Sequence, residues 1–158
     1  MAKNKNIAKK LSEKFSNENV LIKHFQNLGG IWVRDWGPFQ MVDSNGLPVF
    51  YKANYCFDYY AVNEKKYGEM DNKAGSELCE LLLELNPNLK TEKLDLKWDG
   101  GNLTHNEKDT AIITEKLLRD NNQYSKKEIE TLLKNKFGFK KIIFIPVEPY
   151  DVLGHTDG

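Results

Sequence analysis

Only two cysteines, Cys56 and Cys79, occur among the 158 residues. Two thiols are too few for a disulfide framework, and neither stands in a CxxC or Cys/His spacing suited to zinc, so both read as ordinary reduced thiols. An excess of either charge is also missing, because Lys plus Arg and Asp plus Glu both total 23. No net field therefore draws the chain to nucleic acid or to an anionic membrane, and a charged ligand must be recognised locally. Long hydrophobic runs are absent too. The first twenty residues carry Lys3, Lys5, Lys9, Lys10 and Lys14 without the apolar core of a secretion signal, and no later stretch suits a bilayer span. The expectation is a soluble, cytoplasmic protein. No linker, low-complexity segment or clear repeat divides the chain.

What is present suits one globular domain, since a chain 40% hydrophobic and 29% charged at this length can bury a real core. Residues 1–19 read as a polar leader in which Ile7, Leu11 and Phe15, four apart, mark a short amphipathic helix. From Val20 to Tyr55, apolar and aromatic runs broken by turns (VLIKHF, IWV, FQMV, VFYKANY) read as strands, with Ser44-Asn45-Gly46 reversing a hairpin. Leu78, Leu81, Leu82 and Leu85 recur at helical spacing between Ala74 and Leu85, before Asn86-Pro87-Asn88 stops the element. Strands are expected over 94–98 and Thr110 to Thr114. A helix is expected after Ser125, whose capping box is completed by Glu128 and whose buried stripe is Ile129, Leu132, Leu133 and Phe137. Gly138 ends that helix, and Ile142 to Ile145 form a last strand. Strands alternating with helices argue an α/β fold over 20–158, forming one domain or part of one.

Three segments place an acid beside glycine at a turn or strand end: Arg34-Asp35-Trp36-Gly37-Pro38, Trp98-Asp99-Gly100-Gly101-Asn102 and Gly154-His155-Thr156-Asp157-Gly158. Backbone of this kind can approach a ligand closely. Several carboxylates with one histidine suit a small planar cation, because guanidinium offers five donors in a fork that carboxylates accept in pairs. The HxD spacing puts His155 and Asp157 on one face of an extended segment. Asp-Gly and Gly-Gly also form ordinary turns, Arg34 offers Asp35 a structural ion pair, and Trp32 and Trp36 suit core or edge positions. His24 and His105 lack comparable neighbours and read as structural or exposed. His155, Asp157, Asp35 and Asp99 could alternatively ligate a divalent metal that activates water, although such sites commonly use more than one histidine.

Taken in order, the three motifs resemble those of the agmatine deiminase and Porphyromonas-type peptidylarginine deiminase family, within the guanidine-modifying pentein superfamily. The resemblance runs from about Val20 to Gly158, anchored on Ile31 to Pro38, Trp98 to Asn102 and Gly154 to Gly158. It implies a five-bladed α/β propeller of ββαβ modules, of which this chain holds about half. It assigns guanidinium binding to Asp35 and Asp157, general acid/base work to His155, and orientation of that histidine to Asp99. Trp36, where relatives often carry a smaller or phenolic residue, would stack on the cation. The implied chemistry uses no cofactor and no metal. A cysteine thiolate attacks the guanidinium carbon, ammonia leaves, and hydrolysis of the thiouronium intermediate gives a ureido product. The family's nucleophile lies after the GHxD motif and neither Cys56 nor Cys79 matches it, so these residues alone are expected to be nearly inert. A non-catalytic binding or assembly module is the alternative. A half-propeller is also expected to self-associate or to need a complementing chain, because it exposes edge strands.

Overall fold

A computed structural model describes residues 4–16, 19–55, 65–151 and 153–156. Its chain order begins with α1 (Lys5–Lys14), α2 (Val33–Trp36), β1 (Phe39–Val42), β2 (Pro48–Asn54), α3 (Lys65–Leu85) and β3 (Lys90–Lys97). A 3-10 turn over Gly100–Asn102 follows, then β4 (Thr104–His105), β5 (Thr110–Thr114), α4 (Lys116–Asp120), α5 (Lys126–Phe137) and β6 (Lys141–Ile145). The α/β expectation is met by two small sheets, ordered β1-β2-β3 and β4-β5-β6.

Both sheets have the same wiring. An antiparallel pair comes first, β1 with β2 and β4 with β5, and after helical chain a third strand returns parallel to the second. Each half is therefore a ββαβ module, in which the helical crossover supplies the length that a parallel return requires. No closed sheet forms among the described residues. The first hairpin reverses where expected. Asp43 Oδ1 accepts from the N–H groups of Asn45 and Leu47, and Gly46 takes φ +78°.

The two modules share one core. Phe39, Tyr51, Leu94 and Trp98 from the first pack with Ile113, Leu117, Leu133, Phe137 and Phe139 from the second. Trp98 lies 4.4 Å from Phe39 and 5.6 Å from Phe137 between ring centroids, which bolts the end of β3 to α5. A smaller cluster of Phe25, Trp36, Tyr55 and Ala74 seats α2 on α3.

Three expectations change. Residues 20–25 and 31–33 form no extended strands; Val33 instead begins the one-turn helix α2. Their aromatic and β-branched composition reflects packing against α3 rather than a sheet ladder. The first long helix starts at Lys65, well before Ala74, because its opening turns carry Gly68, Asp71 and Asn72, which weaken the helical signal. The leader helix exists, but it buries Ala8 and leaves Ile7 53% exposed, so the apolar stripe lies a step from where the spacing put it. No helix among the described residues is long and apolar enough to cross a membrane.

Candidate active site

Each motif stands where the chain enters or leaves a ββαβ module. Asp35 lies in α2 just ahead of β1, Asp99 just ahead of β4, and His155 beyond β6. Equivalent positions in successive modules thus converge on one seam, which places residues far apart in sequence within contact.

Glycine permits that convergence at two positions. A Cβ on Gly100 would be driven into the carbonyl oxygen of Arg34, and one on Gly101 would strike the His155 ring and lie 2.7 Å from Asp35 Oδ1. With hydrogen there instead, the Gly101 N–H donates to Asp35 Oδ1 at 3.0 Å. Arg34 points the other way: its Nε and Nη2 donate to the carbonyls of Gly100 and Leu103 at 3.2 and 2.9 Å. The two residues of the Arg-Asp pair therefore both grip the Gly-Gly turn.

The His155 ring lies between two carboxylates. Its Nδ1 is 3.9 Å from Asp35 Oδ1 and its Nε2 is 3.6 Å from Asp99 Oδ2, with the three side chains 6%, 12% and 0% exposed. Each ring nitrogen thus faces a carboxylate. The turn that carries the ring is fixed by hydrogen bonds from both ends. Asp151 accepts from the N–H groups of Leu153 and His155 at 2.8 and 2.9 Å, while Thr156 donates through both N and Oγ1 to the Gly101 carbonyl at 3.1 Å. Burial pushes the Asp151 carboxyl up, but the N–H groups of Leu153, Gly154 and His155 together with the His155 charge prevail and hold it below its ordinary value.

Behind Asp99 stands a cation that the sequence did not single out. Lys116 Nζ donates to Asp99 Oδ2 at 3.0 Å and to Asp120 Oδ2 at 2.5 Å, with its side chain 6% exposed. Nothing in the run Lys-Leu-Leu-Arg-Asp marks its lysine, and the tertiary fold turns Lys116 inward. Asn102 was legible only as part of its motif. Its carbonyl accepts from Trp98 Nε1 at 3.0 Å and its Oδ1 from the Thr114 N–H at 2.7 Å, so it locks the turn to β5.

Of the five expected site residues, the fold brings Asp35, Asp99 and His155 together. Asp157 lies outside the described residues, as does Cys56. Trp36 is displaced from its expected role: it is 0% exposed in the cluster with Phe25, Tyr55 and Ala74, which leaves no ring face for a cation. Packing against α3 claims it, and Trp32, four residues earlier, is the 63% exposed indole of this segment. His105 is exposed and accepts from the Glu107 N–H at 3.1 Å, away from the site. Among the described residues, no group of three or more His, Cys, Asp or Glu is arranged to hold a metal ion.

The chain is thus an α/β structure of two ββαβ modules that bring a histidine between two aspartates. The chain matches the model of the Porphyromonas-type peptidyl-arginine deiminase family over residues 1–158, and it belongs to that family. No curated protein matches it. Among solved structures, the agmatine deiminase of C. jejuni superposes with a TM-score of 0.63 at 24% identity, over 85% of this chain and 38% of that one. A structural-genomics target assigned as an agmatine deiminase gives a TM-score of 0.69 at 21% identity, over 95% and 42% respectively. The agmatine deiminase of Enterococcus faecalis gives 0.57 at 22%, over 78% and 34%. These likenesses establish the fold. The chain spans about two fifths of the length of the first two structures.

Proposed function

We propose that this chain carries the guanidinium-binding and acid/base half of a deiminase that converts a small guanidine, such as agmatine, to a ureido product and ammonia. The observation that carries the reading is the seam itself, where His155 lies 3.9 Å from Asp35 and 3.6 Å from Asp99. Asp35, joined by Asp157, accepts the N–H groups of the guanidinium and concentrates positive charge on its carbon. A thiolate adds to that carbon and the C–N bond breaks, while His155 delivers the proton that lets the nitrogen leave as ammonia. His155 then takes a proton from water as the water attacks the thiouronium carbon. The C–S bond breaks, the thiol is restored, and oxygen remains as the ureido carbonyl. Asp99 orients the imidazole throughout, as a carboxylate does in hydrolase triads.

The thiolate comes from outside the described residues. Burial pushes the Cys79 thiol up, and Cys79 sits in α3 at 8% exposure, both unfavourable for a nucleophile. We further take the two modules to be blades of a five-bladed propeller whose other blades complete the pocket. Self-association, or pairing with a chain carrying those blades, would cover the open edges.

The test assays ammonia release from agmatine and arginine by the 158-residue chain, alone and with the later modules supplied. The expected outcome is turnover only in the second case. In parallel, calorimetry should detect agmatine binding that Asp35→Asn abolishes; intact binding in that variant, or robust turnover by the chain alone, would sink the reading.

A further inference from the structure

Asp99 is wholly enclosed and still meets two partners with one oxygen. Its Oδ2 accepts from Lys116 Nζ at 3.0 Å on one side and faces His155 Nε2 at 3.6 Å on the other. Asp120, 10% exposed, lies beyond the ammonium at 2.5 Å. Three carboxylates, Asp35, Asp99 and Asp120, thus crowd this end of the seam. Among the described residues, buried Lys116, His155 and the exposed Arg119 lie within ion-pair distance of these carboxylates. Carboxylates removed from water must be paired, and a pair broken by loss of its cation is strongly unfavourable.

The lysine stem has a second task. Gly154 takes φ +67°, and a Cβ there would lie 2.8 Å from Lys116 Cδ. Thr114 Oγ1 donates to the Gly154 carbonyl at 2.6 Å from the residue two before Lys116. The methylenes of Lys116 therefore floor the turn that delivers His155, and its ammonium neutralises the carboxylate against which the ring rests.

We propose that Lys116 is a positioning residue that keeps His155 able to exchange its proton near neutral pH, an inference that rests on the deiminase reading of this site. A general acid that must also serve as base works best when it titrates near the operating pH. With Asp35 and Asp99 flanking the ring and no cation behind them, the imidazolium would be over-stabilised and slow to give up its proton. Among the described residues, the other charged groups near this region include Asp151, which accepts from the His155 N–H at 2.9 Å, Arg34, whose Nε donates to the Gly100 carbonyl at 3.2 Å, and Arg119, 66% exposed and 3.5 Å from Asp120.

The test follows the His155 imidazole resonance against pH in the intact protein, assigned by its loss in His155→Gln, beside guanidine turnover measured with the later modules supplied. Lys116→Met keeps the stem and removes the charge. It should raise the His155 midpoint by about one unit and lower kcat near pH 7 about tenfold, with KM changed less than about threefold. Lys116→Arg should restore the midpoint. Should Lys116→Met fail to fold, Asp120→Asn reads the same circuit in reverse: the ammonium then serves Asp99 alone, and the midpoint should fall. A midpoint unmoved by the changes, or moved in the opposite sense, overturns the role of Lys116. If the midpoints move as expected while wild type with the later modules supplied turns over no guanidine, the deiminase reading falls and the charge assignment stands.

Discussion

The crossover helices of the two ββαβ modules perform the same topological task with different chemistry. In the second module α5 is specified by its own ends: Ser125 and Glu128 form a reciprocal capping box, and Gly138 closes the helix at φ +75° with open space around it. In the first module α3 is built around what it must hold. Its interior buries Gly68, Asp71 and Gly75, all poor helix formers. Asp71 Oδ1 accepts from the N–H groups of Gly29 and Gly30 at 2.7 and 2.8 Å, and bare Gly75 lets the Trp36 carbonyl approach. These contacts seat the segment that delivers Asp35. The first module gives up local helix strength to shape the site, and the second relies on local rules.

The largest effect should come at the seam where the modules meet. Gly100→Ala drives a methyl into the Arg34 carbonyl and should cost about 3 kcal/mol in urea denaturation. Gly46→Ala, in the first hairpin with nothing near its Cβ, should cost only about 1 kcal/mol for its positive φ. Equal costs would show that the seam yields more easily than its geometry implies. Next in size is Asn121→Ala. The Asn121 side chain is 0% exposed and bonds the N–H and carbonyl of Lys97 and the carbonyl of Leu117, each at 2.8 Å, tying β3 to α4. Its loss strands buried backbone groups and should cost about 2 kcal/mol by the same measurement.

The same contrast explains what the sequence could reveal. In the second module β5, α5 and β6 were legible, α5 above all because the capping box, the stripe of Ile129, Leu133 and Phe137, and the terminal Gly138 are local signals, whereas β4 and α4 were not. In the first module the hairpin at Ser44 to Gly46 was legible for that reason as well. The early turns of α3 and the helical form of Val33 to Trp36 were hidden, since distant contacts decide both. Of the site, Asp35, Asp99 and His155 could be read from their glycine-flanked motifs. Lys116 and Asp151 could not, because nothing local distinguishes a buried lysine in a short helix, or an aspartate in a turn, from a solvated one. Trp36 was misread because aromatic type alone does not tell a ligand platform from a core side chain.

A pH experiment isolates the first module. Burial pulls the Lys52 ammonium down from 10.5 to about 8, even though its Nζ donates to Asn72 Oδ1 at 2.8 Å and to the Ala53 carbonyl. Between those two values the unfolded chain binds a proton that the folded chain has released, so stability must rise with pH in that window. Tyr51 and Cys79, both pushed up by burial, oppose this trend only near and above their ordinary values of 10.0 and 9.0. Urea midpoints taken from pH 7.5 to 9 should therefore show a gain of between about 1 and 2 kcal/mol. Lys52→Met should flatten it. A slope that survives the substitution would place its source elsewhere.

The smallest effect tests whether α5 owes its start to local chemistry. Ser125 Oγ accepts from the Glu128 N–H at 3.3 Å, and Glu128 Oε2 accepts from the Ser125 N–H at 2.7 Å. Hydrogen bonds from the Ser125 side chain and backbone hold the Glu128 carboxyl below its ordinary value. Ser125→Ala should cost about 1 kcal/mol or less, and amide exchange should quicken in the first turn of α5 while the α3 amides keep their rates. Quickened exchange in both helices would mean that the cap supports the common core through Ile129, Leu133 and Phe137, and that the two modules are less independent than their different helix chemistry implies.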